Sequence, residues 1–397
     1  MTWKTYTLND VFKSIKNGLS VKQSKDKEGL PITRIETISL GVINIEKVGY
    51  AGLSMNDVSE WLLEDGDILL SHINSLEHIG KVAQYTSDLG NLVHGMNLVC
   101  LRADKEVLYP KFALYYFRTS SFRNKLLRLV NQSVNQCSIS VTNLKNIAIS
   151  LPSLKEQKKI VAVLDKAQAL IEKRKEAVAK LDELIQAVFL DIFGDPVTNP
   201  KKWKEVKVID VCDCIVPGRD KPKKFEGNIP WITIKDLVAG GNTNSSREGM
   251  GLTEDDIEAV KGKIIPKGSV LMSCVGDLGI TSIAGTEMII NQQLHSFQCK
   301  EKINNYFLCH LLPFKKDYME RVANSTTVLY MNKGKCNSIP IYLPPIHIQE
   351  KFAQTIKIVN SQRAIMEDSL KKLEGNFNSL LQKAFKGELK IDTELTA

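Results

Sequence analysis

Apolar residues recur every seven positions through two long stretches, Leu151 to Ile185 and Leu343 to Phe377, which begin 192 positions apart. In the first, Ile160, Ala167, Leu181 and Val188 share one heptad position, with Arg174 as its polar exception, and Leu164, Ile171, Val178 and Ile185 share the other. In the second, Phe352, Val359, Met366, Leu373 and Leu380 interleave with Ile356, Leu370 and Phe377, and Arg363 is the polar exception. A sustained 3.5-residue period lays down a narrow apolar seam that a lone helix cannot bury. The pattern therefore predicts two long helices, over 151–195 and 343–390, that wind around each other as a coiled coil, with the two arginines helping to fix register.

Both helices carry the same punctuation. Pro152 and Pro344 precede the first turns, where a missing N–H does no harm, and Gln157 and Gln349 stand at matched places inside. Both end at a glycine, in "FGDP" (Phe193 to Pro196) and "FKGEL" (Phe385 to Leu389), where a left-handed residue closes the last turn. A helix of roughly 36 residues is about 50 to 55 Å long.

Between the helices the pattern changes to short apolar runs and period-two alternation bounded by Gly, Asp and Pro, which predicts strands. These segments repeat as well. "WKTYTLNDVFKSIKNG" (Trp3 to Gly18) aligns without a gap to "WKEVKVIDVCDCIVPG" (Trp203 to Gly218), "LPITRI" (Leu30 to Ile35) to "IPWITI" (Ile229 to Ile234), and "EDGDILLS" (Glu64 to Ser71) to "PKGSVLMS" (Pro266 to Ser273). A helical pattern follows in each, "PKFALYYFRTSSFRNKLLRLV" and "INNYFLCHLLPFKKDYMERV". The expected fold is α+β: two mixed α/β globules, 1–150 and 196–342, related by a pseudo-twofold repeat and joined by an antiparallel pair of long helices, with 391–397 as a tail.

Hydrophobic content of 43% and charged content of 25% are those of a globular protein, and no run of about 18 apolar residues offers a membrane span. "MTWKTYTLNDVF" lacks the apolar core of a secretory signal, so a cytoplasmic location is expected. The eight cysteines fall in no CxxC pair and at no zinc spacing, and buried free thiols are expected. No metal site and no bound cofactor is expected of this chain. No P-loop, GxGxxG, HExxH or GxSxG occurs, and "NIPW" (Asn228 to Trp231) lacks the proline that an amino-methyltransferase loop carries directly after its asparagine. An enzyme with its own active site is not expected. The net charge of +8 favours a polyanionic partner.

Recognition residues then become the candidates. Asn and Gln can bond bidentately to adenine, while Lys and Arg read guanine or hold phosphates. In the first globule the polar clusters offer His72, Asn74, His94, Asn97, Asn131, Gln132, Asn135 and Gln136. In the second they offer Arg219, Lys221, Lys223, Lys224, Asn291, Gln292, Gln293, His295, Lys333 and Lys335. The same residue types also make ordinary turns. Two similar globules with divergent loops suggest a split, asymmetric target, and half-sites on one face of B-DNA lie about 34 to 36 Å apart.

On these residues the chain resembles the specificity (S) subunit of type I restriction-modification systems. The resemblance rests on the Leu-Pro-x-x-x-x-Gln openings of both helices ("LPSLKEQ", "LPPIHIQ"), the "AFKGEL" ending and the Trp-Lys openings of both globules, and it covers essentially the whole chain. It implies two target-recognition domains that read a bipartite, asymmetric double-stranded DNA site. It also implies paired helices that set the spacer and hold two adenine-N6 methyltransferase (M) subunits, which bring S-adenosylmethionine. Restriction (R) subunits would add ATP- and Mg-dependent cleavage. The chain itself would do no chemistry, and in isolation it could dimerise through the exposed faces of its helices. The alternatives are the recognition subunit of a type IIB-like or phage-defence methylation system, and a coiled-coil adaptor that binds only proteins.

Overall fold

The computed structural model describes residues 3–133, 136–218, 220–325 and 328–389. The chain divides into two compact units, Met1–Lys173 with Leu370–Ala397, and Arg174–Ser369.

In the first unit, a four-stranded antiparallel sheet runs in the order Phe12–Asn17, Leu98–Ala103, Ile68–Ser71, Val82–Gln84. The run Ile68–Ser71 is buried throughout, as expected of a central strand covered on both faces. Helices Pro110–Phe117 and Ser120–Leu127 cover one face through Phe112, Phe117 and Phe122. The continuous helical pattern of the sequence is thus two helices. Thr119 separates them, its Oγ1 capping the second by accepting the Phe122 N–H at 3.1 Å.

The second unit repeats this plan. Its sheet runs Cys212–Ile215, Leu294–Cys299, Val270–Ser273, Thr281–Ala284, with Asn242–Thr243 added in parallel at the edge. Helices Asn305–Leu311 and Lys316–Val322 flank a 3₁₀ turn at Leu312–Lys315, because Pro313 interrupts the α-helical hydrogen bonding.

The central helix spans Leu154–Phe193 and the C-terminal helix Ile346–Phe385, 40 residues each. Both begin three residues later than the expected starts at 151 and 343. Ala148–Leu151 is a strand paired antiparallel with Lys4–Thr7, and Pro340–Leu343 pairs in the same register with Lys204–Lys207. Each globule thus enters and leaves through one two-stranded ribbon. At the far ends Gly194 (φ 80°) and Gly387 (φ 73°) take the left-handed conformation. The last carbonyls of the central helix are occupied: Trp203 Nε1 donates to Phe193 O at 3.0 Å, and Lys201 Nζ reaches Asp191 O and Ile192 O.

The helices pack antiparallel within each unit. In the first, Ile160, Val161 and Leu164 share a core with Leu381 and Ala384, against which Phe377 and Leu380 pack. In the second, Ile185, Phe189 and Phe193 share one with Phe352, Ile356 and Val359. Every heptad position named from the sequence is buried or half-buried. The apolar stripe is wider than a heptad seam at the helix ends, where Val161, Phe189, Phe193 and Ala384 also meet the globules. Arg363, only 14% exposed, bonds to Asp182 of the central helix, which accounts for a polar residue in that seam. No helix among the described residues is long and apolar enough to cross a membrane.

Candidate nucleic-acid interface

The 94–97 turn of the first unit meets the chain where the strand Phe12–Asn17 gives way to a loop. Backbones approach closely there: Leu19 N–H donates to His94 O at 2.8 Å, Thr33 N–H to Val93 O at 2.9 Å, and Gly95 N–H to Thr33 Oγ1 at 2.8 Å. Glycine is required at 95, since a Cβ there would lie 2.0 Å from Thr33 O. The turn continues through Asn97 in the left-handed region (φ 67°), which asparagine tolerates. Asn97, Arg34, Gln23, Lys22 and Glu36 line a cavity of about 330 Å³. Gln23 Oε1 is buried and has no hydrogen-bond partner among the described residues.

The second unit builds the matching place from matching segments. Its strand Ile229–Ile232 runs parallel to Ile289–Ile290, pairing Trp231 with Ile289 just as Ile32 bridges Val93 in the first unit. Asn291 N–H donates to Ile232 O at 2.9 Å. The Asn291 side chain then organises the turn, its Oδ1 accepting from Gln293 N at 3.1 Å and its Nδ2 donating to Gln293 Oε1 at 3.0 Å. Asn291, Gln292, Gln293, Glu248, Trp231 and Phe225 are among the residues lining a cavity of about 530 Å³. The Phe225 and Trp231 rings lie 6.0 Å apart.

Each unit also carries a short hairpin. Asn131–Ser133 pairs with Gln136–Ser138, which pairs in turn with Ile73–Asn74. Asn324–Ser325 pairs with Leu329–Tyr330, and Tyr330 bridges Val275. Asn131, Gln132 and Gln136 are exposed, as are Lys221, Lys223, Lys224, Gln292 and Lys333. Asn135 and Arg219 lie outside the described residues.

Three histidines named from the sequence are not at the surface. His94 is 1% exposed and His295 2%, and burial depresses both imidazoles to about 4. His94 Nε2 lies 3.0 Å from Leu98 O, and His295 Nε2 lies 3.1 Å from Asn337 Oδ1. His72, 6% exposed, is likewise held below its ordinary value by burial. Contrary to the expectation from the sequence, these three rings are internal to the globules and not part of their exposed polar edge. Asn74 makes a turn, with Oδ1 accepting from Ser75 N and Nδ2 donating to Ser71 Oγ. Lys335 is half-buried, its Nζ on Asn324 Oδ1 and its N–H on the Oδ1 of Asn332, the cap of helix Lys333–Asn337.

Sequence reasoning missed Arg34, Lys22, Gln23, Glu36, Phe225, Trp231 and Glu248, which share the cavity walls with the named asparagines and glutamines. The signal was available. Aligning "LPITRI" with "IPWITI" sets Arg34 opposite Thr233, and each opens a matched 3₁₀ turn, at Ile35–Ile38 and Ile234–Asp236.

A repeated α/β globule whose polar turns differ on a shared scaffold, carried twice between paired helices, defines a recognition protein of two-module type. The comparisons make the class specific. The model of the type I restriction modification DNA specificity domain matches residues 1–181 and 200–375, and the chain belongs to that family. It is 30% identical, over 98% of its own length and 94% of the relative's, to a putative type I restriction enzyme MjaX specificity subunit of Methanocaldococcus jannaschii. It is 28% identical, over 51% of its length and 44% of the relative's, to the type I restriction enzyme EcoKI specificity subunit of Escherichia coli. Among solved structures it resembles a chain from a study of assembly and conformational transition of the type I R-M system, with a TM-score of 0.60 at 19% identity, covering 98% of each chain. It also resembles the type I S subunit of M. genitalium, with a TM-score of 0.55 at 15% identity, covering 99% of this chain and 97% of that one.

Proposed function

We propose that this DNA-specificity chain is the non-catalytic reading subunit of a type I restriction-modification complex, and that each globule reads a different half of a split, asymmetric site on double-stranded DNA. The observation that carries the reading is the internal repeat. The two units share strand order and ribbon register, while the side chains at the matched turns differ, Met96 and Asn97 in one and Gln292 and Gln293 in the other. A fold kept twice with divergent polar edges suits two different words.

The paired helices would hold two adenine-N6 methyltransferase subunits, which bring S-adenosylmethionine, and restriction subunits would add ATP and Mg. Outward-facing apolar residues support docking on these helices: Leu170 on the first unit's share, and Leu184, Ile358 and Ile365, exposed by 47%, 64% and 61%, on the second's. A chain that reads DNA in this way would act in the cytoplasm.

The test is single-molecule methylome sequencing of a host expressing this chain with its methyltransferase subunit, compared with the methyltransferase subunit alone. N6-methyladenine at one split motif only when the chain is present is the expected result. Methylation that ignores the chain overturns the proposal.

A further inference from the structure

The two cavities at the matched turns differ in chemistry in a way that suggests what each takes. Both are framed by the loop leaving the first sheet strand, by the strand that opens a 3₁₀ turn, and by the turn that enters the neighbouring sheet strand. Their walls carry charges of both signs: Lys22 and Arg34 beside Glu36 in the first, Lys221 beside Asp220 and Glu248 in the second. A phosphate-binding site would exclude carboxylates, because anions repel. Base edges present donors and acceptors together, and mixed walls suit them.

We propose that these cavities are the two base-reading sites, and that Arg34 makes the first read a guanine where the second, with Thr233 in the matched place, reads its base through Gln292 and Gln293. The inference rests on the split-site reading above. Arg34 is half-buried at the mouth of a 3₁₀ turn, and no carboxylate among the described residues forms an ion pair with it. Its fork of N–H donors is therefore available to the O6 and N7 of guanine, which lie side by side in the major groove. The amides of the second cavity match the N6 and N7 of adenine by the same geometry. The Phe225 and Trp231 rings add an apolar wall against which a thymine methyl group can lie.

The experiment uses the chain in complex with its methyltransferase subunit and reads the methylome for the natural sequence, Arg34→Thr, Arg34→Lys and Gln292→Ala with Gln293→Ala. Threonine is the residue that the other globule already carries at the matched turn. Lysine keeps the charge and loses the fork. Each Arg34 variant is expected to relax one guanine position in one half of the motif, leaving the other half at full stringency. The glutamine pair is expected to relax a position in the other half only.

An unchanged motif in the Arg34 variants overturns the proposal, as does a uniform fall in methylation with both halves intact, which would make Arg34 a phosphate contact. A natural-sequence motif that is not split would sink the earlier reading instead. Relaxation of a guanine by Arg34→Lys would still support the cavity assignment in that case. Co-purification with the methyltransferase subunit identifies any variant that has failed to fold, and the more conservative lysine variant then decides.

Discussion

Gln157, fully buried in the first turn of the central helix, accepts the backbone N–H of Tyr109 at 2.8 Å through its Oε1. Its Nε2 donates to Val107 O and Pro152 O at 2.9 and 3.0 Å. Gln349 repeats the arrangement with Asn304 N–H, Lys302 O and Pro344 O. One side chain thus satisfies three backbone groups where a helix start, a proline and a loop meet away from water. Replacing Gln157 with Ala leaves the Tyr109 N–H without a partner. The expected loss is about 1 to 3 kcal/mol, measured by urea unfolding of the full chain. An unchanged midpoint would show that water takes over the contacts.

Acid should destabilise the globules well before their carboxylates titrate. Burial holds His94 and His295 at about 4 in the folded chain, below the ordinary value of about 6.5. The groups acting on His94 are Lys16, Asp67 and His72, and Lys333 acts on His295. Because the folded pKa is depressed, the unfolded chain takes up the proton first. The stabilisation is complete above about pH 6.5 and is lost as pH falls towards 4, by about 3 kcal/mol for each ring. Urea midpoints at pH 7.5, 6 and 5 should fall in that order, and His94→Gln should flatten the slope without abolishing it, since burial also lowers His295, His72 and His310.

Phe189 sits among Phe193, Phe307, Phe314 and Phe352, with ring centroids 4.9 to 5.9 Å away. Phe189→Ala opens a cavity in this cluster and should cost about 3 to 5 kcal/mol. Hydrogen exchange should accelerate chiefly within 174–369. Equal acceleration in both units would mean that they unfold as one.

Lys221, Lys223 and Lys224 form an exposed basic run beside the second cavity. If they neutralise phosphates, replacing all three with Ala should reduce the slope of log affinity against log salt by about 3. Fluorescence anisotropy with duplex DNA and the assembled complex measures this. A slope that stays put would leave the run as a solvated loop.

The helices were legible because burial enforces a period: a seven-residue repeat has few other causes, and positions such as Leu164 and Ile356 are fully buried. The strands were legible from the repeat, which showed "EDGDILLS" and "PKGSVLMS" to be the same element. The interface was legible only in part. Asn97, Asn291, Gln292 and Gln293 do line the cavities, while His94 and His295 turn inward, because a polar side chain with one good partner packs as readily as it solvates. Arg34 was hidden inside a run read as plain strand. The repeat sets it opposite Thr233, and parallel pairing at Ile32 and Val93 places it beside the 94–97 turn.

Lys4 faces Leu151 and Lys204 faces Leu343, so the chain leaves each globule at the point where it entered. Everything between those ends is a cassette held by a two-strand clasp. One exchange of coding sequence at the clasp can replace a whole globule while the long helices stay as they were.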